Sequence, residues 1–293
     1  MIDGALLIDK PVGSSSNFVL QKCKKLLEAR KAGHAGTLDP LASGLLIALF
    51  GEAAKFAGLL LDSEKEYAAT LKLGETTATG DAEGEVLEAK PVSVTEGQVR
   101  QVLDRFRGEI DQVPPMHSAL KRDGVPLYKL ARKGESVERQ PRRVRILELE
   151  LLDFRSPLVE LRVRCSKGTY VRTLAEDIGA ALGTGAHLGA LRRVGSGRFR
   201  VADAIALPAL EAMALSQRRG RLLPVDSLLS QLPRVELDAV SEAKLRNGQA
   251  LQMNALPEGV SAVYGPGGGL IGLGRAESGT LRPLRLTQVT EKG

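Results

Sequence analysis

The chain has 293 residues, 43% of them hydrophobic, enough to bury a sizeable core and to suggest one large domain plus a small one. Its apolar runs Leu45–Phe50 and Gly58–Leu61 are too short to cross a bilayer, and Met1–Lys10 carries Asp3 and Asp9 without the basic start and long apolar core of a signal peptide. Cys23 and Cys165 form no CxxC pair and read as reduced thiols of a cytoplasmic protein; His34, His117 and His187 lack metal-ligand spacing, so no metal site is expected.

Leu6–Ile8 is a short apolar run that ends in the turn Asp9-Lys10-Pro11-Val12-Gly13. Ser14–Ser16 can cap a helix that places Val19, Cys23, Leu26 and Leu27 on one face. The apolar stretch Leu41–Phe50 reads as a helix, Tyr67–Leu73 alternates like a strand, and Gly74–Gly84 is a polar loop. Thr95–Phe106 is helical, with Val99, Val102, Leu103 and Phe106 in line and Thr95 as cap. Val144–Phe154 and Leu158–Cys165 follow as successive strands, and Tyr170–Leu182 as a helix stopped by Gly183. Strands paired between helices predict an α+β fold with a mixed, largely antiparallel sheet. Pro208–Leu229 reads as helical. Beyond Arg234, short strands at Ala262–Tyr264, Leu270–Leu273 and Leu284–Thr287 predict a small appended β-barrel. The expected domains are 1–229 and 230–293.

The net charge is +6, and its location says more than its size. Residues 116–145 hold nine basic and three acidic side chains, so this segment carries the excess of the whole chain. Such a run is either a solvated loop or a phosphate-gripping element.

The most informative stretch is Gly33-His34-Ala35-Gly36-Thr37-Leu38-Asp39-Pro40-Leu41-Ala42-Ser43-Gly44. Glycines allow close backbone approach, and Pro40 restricts Asp39 to extended conformations. A carboxylate on a stiff loop is a candidate nucleophile or base. Read locally, Asp39 is equally a cap for the apolar helix predicted after it.

This stretch resembles the signature of the TruB-type tRNA pseudouridine synthases, and further motifs in the same order extend the resemblance over most of residues 6–200. They are Asp9-Lys10-Pro11-Val12-Gly13, Lys65-Glu66-Tyr67, Thr79-Gly80-Asp81-Ala82-Glu83-Gly84, Pro115–Lys121 with Tyr128, Cys165–Thr173, and Gly185–Leu188 with Leu191-Arg192-Arg193. Ala35 stands where the family usually has a hydroxyl residue, and His117 where an aromatic is frequent. The region 230–293 resembles the family's PUA-like domain through Asn247-Gly248, Gly272-Leu273-Gly274 and Arg282–Leu286.

The resemblance implies the pseudouridine synthase fold and isomerisation of the uridine at position 55, in the TΨC loop of tRNA, after base flipping. It makes Asp39 the nucleophile, with Arg172 beside it holding it ionised. Tyr67 would stack on the flipped base and assist proton transfer. The plainer alternatives are a core aromatic at Tyr67 and a surface arginine at a helix start for Arg172, where the charge opposes the helix dipole. Tyr170 and Leu191 would line the pocket, Leu191 serving equally as core. His34 would wedge into the space left by the flipped base, Lys10 and Pro11 would buttress the floor, and Asp81 would orient RNA or a loop.

With only 3% aromatic residues, recognition is expected to rest on RNA shape and phosphates rather than on extended stacking. The candidates are Lys121, Arg122, Lys129, Arg132, Arg142 and Arg143 of an insertion spanning about 115–145, with Arg192 and Arg193. The C-terminal domain is expected to touch the acceptor stem. No cofactor, membrane or obligate protein partner is expected. Two rivals remain at this point. One is a serine hydrolase, from Ser118-Ala119-Leu120-Lys121 as S-x-x-K, although the companion motifs and an export signal are missing. The other is a non-catalytic tRNA-folding protein, which would leave Asp39, Tyr67 and Arg172 without a role.

Overall fold

The computed structural model describes residues 2–288 except Ala119, Asp123, Arg132 and Ser136, and excepting the side chain of Lys121. The expected RNA contacts Arg132 and Lys121 therefore lie outside the described residues. The first half runs β1 (Gly4–Lys10), α1 (Ser16–Leu27), β2 (Ala32–Ala35), β3 (Ala42–Phe50), α2 (Ala57–Asp62), β4 (Lys65–Leu73), β5 (Glu75–Thr77), β6 (Val86–Ala89), α3 (Glu96–Asp104) and β7 (Gly108–Gln112). A segment with a small hairpin, β8 (Lys121–Arg122) and β9 (Val125–Pro126), and a short helix α4 (Leu127–Ala131) leads to β10 (Arg142–Arg155). Then come β11 (Leu158–Cys165), α5 (Val171–Ala181), β12 (Ala186–Ser196), β13 (Phe199–Arg200) and β14 (Ile205–Ala206).

The main sheet runs β14-β1-β3-β12-β4-β11-β10-β7, with β2 added to β3 and β13 to β12. Pairing is antiparallel except at β1–β14 and β3–β12. This mixed order brings β3 and β4, whose ends carry the candidate chemistry, onto opposite edges of β12.

The helix expected over Leu41–Phe50 is a strand. Leu45, Ile47 and Leu49 pack on one face of the sheet with Phe56, Leu228 and Leu229; Leu46, Ala48 and Phe50 pack on the other with Val19, Cys23 and Leu27 of α1. A strand covered on both faces needs apolar residues at every position, so it shows no alternation and periodicity cannot separate it from a buried helix. Each fully buried aliphatic side chain here contributes about 1.5–3 kcal/mol.

The other elements follow from local chemistry. Ser15 caps α1, its side chain accepting from the Phe18 N–H at 3.1 Å. Thr95 and Gln98 form a reciprocal capping box at α3. α5 buries Val171, Leu174, Ala175 and Ile178 against Leu71, Leu161 and Val163. The expected loop Gly74–Gly84 begins with β5, which pairs with β6. The expected helix Pro208–Leu229 is broken into α6 (Leu207–Ala212), α7 (Leu215–Arg219) and a short turn at Val225–Leu229. Met213 is extended between the two helices, and the Arg218 guanidinium takes the carbonyls of Leu210 and Glu211 that the break exposes.

A second, five-stranded sheet starts at Arg234. It contains β15 (Arg234–Glu236), β16 (Leu251–Gln252), β17 (Gly259–Tyr264), β18 (Leu270–Glu277) and β19 (Thr280–Leu286) in the order β15-β17-β18-β19-β16. α8 (Ala239–Arg246) precedes β16 and has a single buried side chain, Leu245, which left no apolar period to read. One face of this sheet has its own core of Val235, Val263, Ile271 and Leu281. The other places Ala262, Tyr264 and Leu273 against Phe56, Leu228 and Leu229. Glu52 accepts from the Gln288 N–H at 2.7 Å and Lys55 Nζ donates to the Leu286 carbonyl at 3.0 Å, so polar contacts close the same junction.

Candidate active site

The Asp39 loop joins β2 to β3, and five hydrogen bonds hold it. Ser16 Oγ accepts from the Leu38 N–H at 2.8 Å and donates to the Leu38 carbonyl at 2.9 Å. The Gly13 N–H donates to the Pro40 carbonyl at 2.8 Å, and the Ala42 N–H to the Asp39 carbonyl at 3.1 Å. Arg193 Nη2 reaches the Gly36 carbonyl at 3.1 Å. Because a strand follows, Asp39 does not cap a helix. Its side chain is 42% exposed and faces a cleft of about 350 Å³.

Arg172, the second residue of α5, is the centre of the array. Its side chain is 7% exposed, which rules out a surface arginine at a helix start. Nη2 stands 3.0 Å from Asp39 Oδ2 and donates to the His117 carbonyl at 2.7 Å. Nη1 donates to the Thr79 carbonyl at 3.1 Å and lies 3.5 Å from Asp81 Oδ2. Two carboxylates and two carbonyls thus compensate a cation that burial and the helix N-terminus both disfavour. Asp81 is itself buried; its Oδ1 accepts from Thr79 Oγ1 at 2.5 Å and from the Glu83 N–H at 3.1 Å.

Burial pushes the Asp39 carboxyl above the ordinary carboxylate range, and Arg172 is the largest force opposing that rise. Arg172 thus favours the charged carboxylate, while burial and Asp81 favour the neutral one.

Tyr67 on β4, Leu191 on β12 and Tyr170 at the start of α5 form walls of the same cleft. Tyr67 is 9% exposed and joins the core cluster with Leu38 and Ala42, so the core and pocket readings of this ring are compatible. Lys10 is fully buried at the end of β1. Its Nζ donates to the carbonyls of Pro11 at 2.9 Å and Ser14 at 2.6 Å, and burial brings it down to about 8 against the pull of Asp39. Lys10 thus ties the turn whose Gly13 holds Pro40.

Other expected residues stand elsewhere. His34 is half-buried on β2, opposite Ala48, and is not part of the cleft wall; its Nδ1 is buried without a hydrogen-bond partner among the described residues, and burial lowers its basicity. Arg193 was expected beside Arg192 on an RNA-facing surface, but it is 1% exposed and its guanidinium enters the cleft wall. Alternation along β12 sends adjacent side chains to opposite faces, so the two arginines cannot share a role. Arg192 forms a bidentate pair with Asp9 at 2.9 and 2.7 Å. Arg142 and Arg143 are exposed on β10 of the main sheet rather than inside the insertion, since β10 begins at Arg142. Arg122 and Lys129 are exposed between β7 and β10.

Two positioning residues escaped the sequence reading. Ser16 was visible only as part of a helix-capping serine run. Gln112 is 1% exposed; its amide accepts from the Tyr170 N–H at 3.0 Å and donates to the Tyr170 carbonyl at 3.3 Å, a clamp with no local signature. Among the described residues no group of His, Cys, Asp and Glu side chains is placed to hold a metal ion, and no helix is long and apolar enough to cross a membrane.

Comparison with known proteins agrees with this architecture. The model of the TruB family pseudouridylate synthase N-terminal domain matches residues 24–171, that of the tRNA pseudouridylate synthase B C-terminal domain residues 172–230, and that of the pseudouridine synthase II TruB C-terminal region residues 233–287. The tRNA pseudouridine synthase B of Azoarcus sp. (strain BH72) is 54% identical over 286 residues, 98% of this chain and 95% of that protein. That of Dechloromonas aromatica (strain RCB) is 52% identical over 99% of this chain and 97% of that protein. Among solved structures, a Cbf5-Nop10-Gar1 complex aligns with TM-score 0.72 and 29% identity over 94% of this chain and 78% of that chain. An H/ACA RNP bound to a substrate RNA containing 2'-deoxyuridine aligns with TM-score 0.71 and 26% identity over 98% of this chain and 84% of that chain.

An α+β fold with a PUA-like C-terminal domain and a cleft-facing aspartate held by a buried arginine defines a pseudouridine synthase, an isomerase. The chain belongs to the TruB family of these enzymes. That membership displaces the serine hydrolase reading.

Proposed function

We propose that the chain isomerises the uridine at position 55, in the TΨC loop of tRNA, to pseudouridine, working in the cytoplasm without a cofactor or an obligate protein partner. The observation that carries the reading is the Asp39 carboxylate, 3.0 Å from the buried Arg172 and open to a cleft that Tyr67 and Leu191 also line.

The reaction breaks the bond from C1′ to N1 and forms one from C1′ to C5 of the same base. C5 loses a proton and N1 gains one, so no redox partner is required. Asp39 acts as nucleophile, giving a covalent intermediate that divides one hard step into two. Arg172 orients it and limits its protonation. Tyr67 stacks on the everted base and carries the C5 proton, while Tyr170 and Leu191 enclose the ring. Leaving the stack empties a place in the RNA loop, which His34 fills. Lys10, Pro11 and Asp81 brace the loops on either side of Asp39.

Residues 1–229 serve as the catalytic domain. The exposed Arg122, Lys129, Arg142 and Arg143 and the half-buried Arg192 contact phosphates, and residues 230–293 reach the acceptor stem. Lys121 and Arg132 belong to the same basic segment in sequence.

The test is to incubate the purified chain alone with an unmodified tRNA transcript and with an isolated T-arm hairpin, followed by carbodiimide mapping. Conversion of the one TΨC-loop uridine in both RNAs is expected. Conversion at another site, or a requirement for an added protein, would overturn the corresponding part of the reading.

A further inference from the structure

Arg193 is the largest side chain fully withdrawn from solvent. It stands on β12 directly opposite Tyr67 of β4. Its Nε donates to the Leu45 carbonyl at 2.7 Å and its Nη2 to the Gly36 carbonyl at 3.1 Å. Among the described residues it takes part in no ion pair, although an unpaired buried charge is costly. The polypeptide is shaped around it. A Cβ on Gly36 would lie 3.2 Å from Nη1, and a Cβ on Gly44, whose φ is +96°, would lie 2.3 Å from the Arg193 carbonyl oxygen. The glycines flanking Asp39 therefore admit this side chain and its strand.

Arg193 and Tyr67 line the same cleft from paired positions on adjacent strands. Burial pushes that phenol up, and Arg193 is the strongest of the forces opposing it. The other groups acting on the phenol are Cys165 on β11 and Asp39 on its loop, while Lys65 on β4, and Tyr170 and Arg172 near the start of α5, line the same cleft. The same cation pulls down Lys10 on β1, Lys65, and His34 on β2. A positive charge with no ion pair among the described residues, fixed by two main-chain oxygens in the cleft that Tyr67 also lines, is suited to stabilising a phenolate.

We propose that Arg193 is a positioning residue: held by the Gly36 and Leu45 carbonyls, it orients the Tyr67 phenol and supplies the charge that makes it a proton acceptor for C5 of the reattached base. The Tyr67 oxygen, as phenolate, takes the C5 proton and becomes phenol. The electron pair of the C5–H bond re-forms the C5–C6 double bond, the N1–C6 π pair returns to N1, and N1 takes up a proton. This rests on the proton-transfer role of Tyr67 proposed above.

The test uses the full chain and the variants Arg193→Lys, Arg193→Met and Tyr67→Phe. Single-turnover rates on tRNA are measured between about pH 6 and 9, together with tRNA affinity against salt. Arg193→Met is expected to slow the reaction about 100-fold at neutral pH, with the deficit shrinking as pH rises, because general-base contributions are of this size. Arg193→Lys should recover most of the loss at neutral pH. Affinity and its salt slope should not change, since a buried guanidinium meets no phosphate. In a Tyr67→Phe background, Arg193→Met should add less than about twofold, the non-additivity of residues acting as one unit.

A second readout avoids activity altogether. The chain has four tyrosines, so a Cζ-labelled tyrosine spectrum is simple, and Tyr67→Phe assigns the relevant signal. Arg193→Lys should move that signal in the free protein. A deficit equal at all pH values and additive with Tyr67→Phe would overturn the proposal, as would an unmoved Tyr67 signal. If Tyr67→Phe itself reacts at the wild-type rate, the proton-transfer reading fails, whereas a moved signal would still establish the contact.

Discussion

Ser16 and Leu38 are 22 positions apart in sequence, yet one hydroxyl satisfies both main-chain groups of Leu38, at 2.8 and 2.9 Å. The first residue of α1 thereby sets the backbone immediately before Asp39. Ser16→Ala would leave a buried N–H and carbonyl unpaired, at a cost of ~1–3 kcal/mol. Urea unfolding should register that loss. Turnover should fall by more than the folded fraction accounts for, with tRNA affinity kept, because a displacement of about 1 Å at a reacting group costs on the order of 100-fold.

Asp39→Asn keeps the shape of the loop and removes the proposed nucleophile. Pseudouridine formation should become undetectable by carbodiimide mapping while filter binding of tRNA changes by less than about threefold, since the proposed phosphate contacts lie elsewhere and such contacts supply most of the affinity. Turnover by this variant would dismiss Asp39 as nucleophile.

The neighbours of Asp39 push it in opposite directions, which fixes the sign of two pH experiments. Arg172 lowers its pKa and Asp81 raises it. Activity that needs the carboxylate is lost as pH falls through the Asp39 pKa. Arg172→Met should therefore move the acid limb of the rate profile to higher pH, and Asp81→Asn should move it to lower pH. Both variants should also lose maximal rate, because each breaks the array around Arg172. Shifts of the same sign would show that the electrostatic account is wrong.

Lys10 is brought down from 10.5 to about 8 by burial. Between these values the unfolded chain still holds the Lys10 proton that the folded chain has released. Stability contributed through Lys10 therefore rises with pH across that window. Comparing urea midpoints of wild type and Lys10→Met at increasing pH above about 8 should show the difference moving in favour of wild type. A constant difference would place the Lys10 titration outside the window.

The basic segment makes a prediction about salt. Arg122→Ala and Lys129→Ala should each weaken tRNA binding without changing the chemical step, and each should reduce the slope of log affinity against log salt by about one. An unaltered slope would remove these two side chains from the phosphate contacts.

Local chemistry made much of the molecule legible in advance. The Thr95 cap of α3, the alternation in β11 and the glycine stop after α5 involve neighbours along the chain, and they appear where the sequence places them. The identity and order of the chemistry-bearing residues, with Asp39 on a glycine–proline loop, were likewise read from the residues and their resemblance to known motifs. β3 was misread because its partners on the two faces come from α1 and from the turn at Val225–Leu229, far away in sequence. α8 was missed because it buries too little to leave a pattern.

By itself, then, the sequence determined which groups are available and how stiffly the chain presents them, since caps, turns and strand alternation depend on residues within a few positions. Tertiary structure decided which of those groups meet and how they are charged. Arg192 and Arg193 are adjacent and chemically identical, yet one pairs with Asp9 at the surface and the other enters the cleft wall. The pleat of β12 and the packing of β3 and β4 on its two edges make that difference, and electrostatic energies depend on burial and on distances through space rather than along the chain.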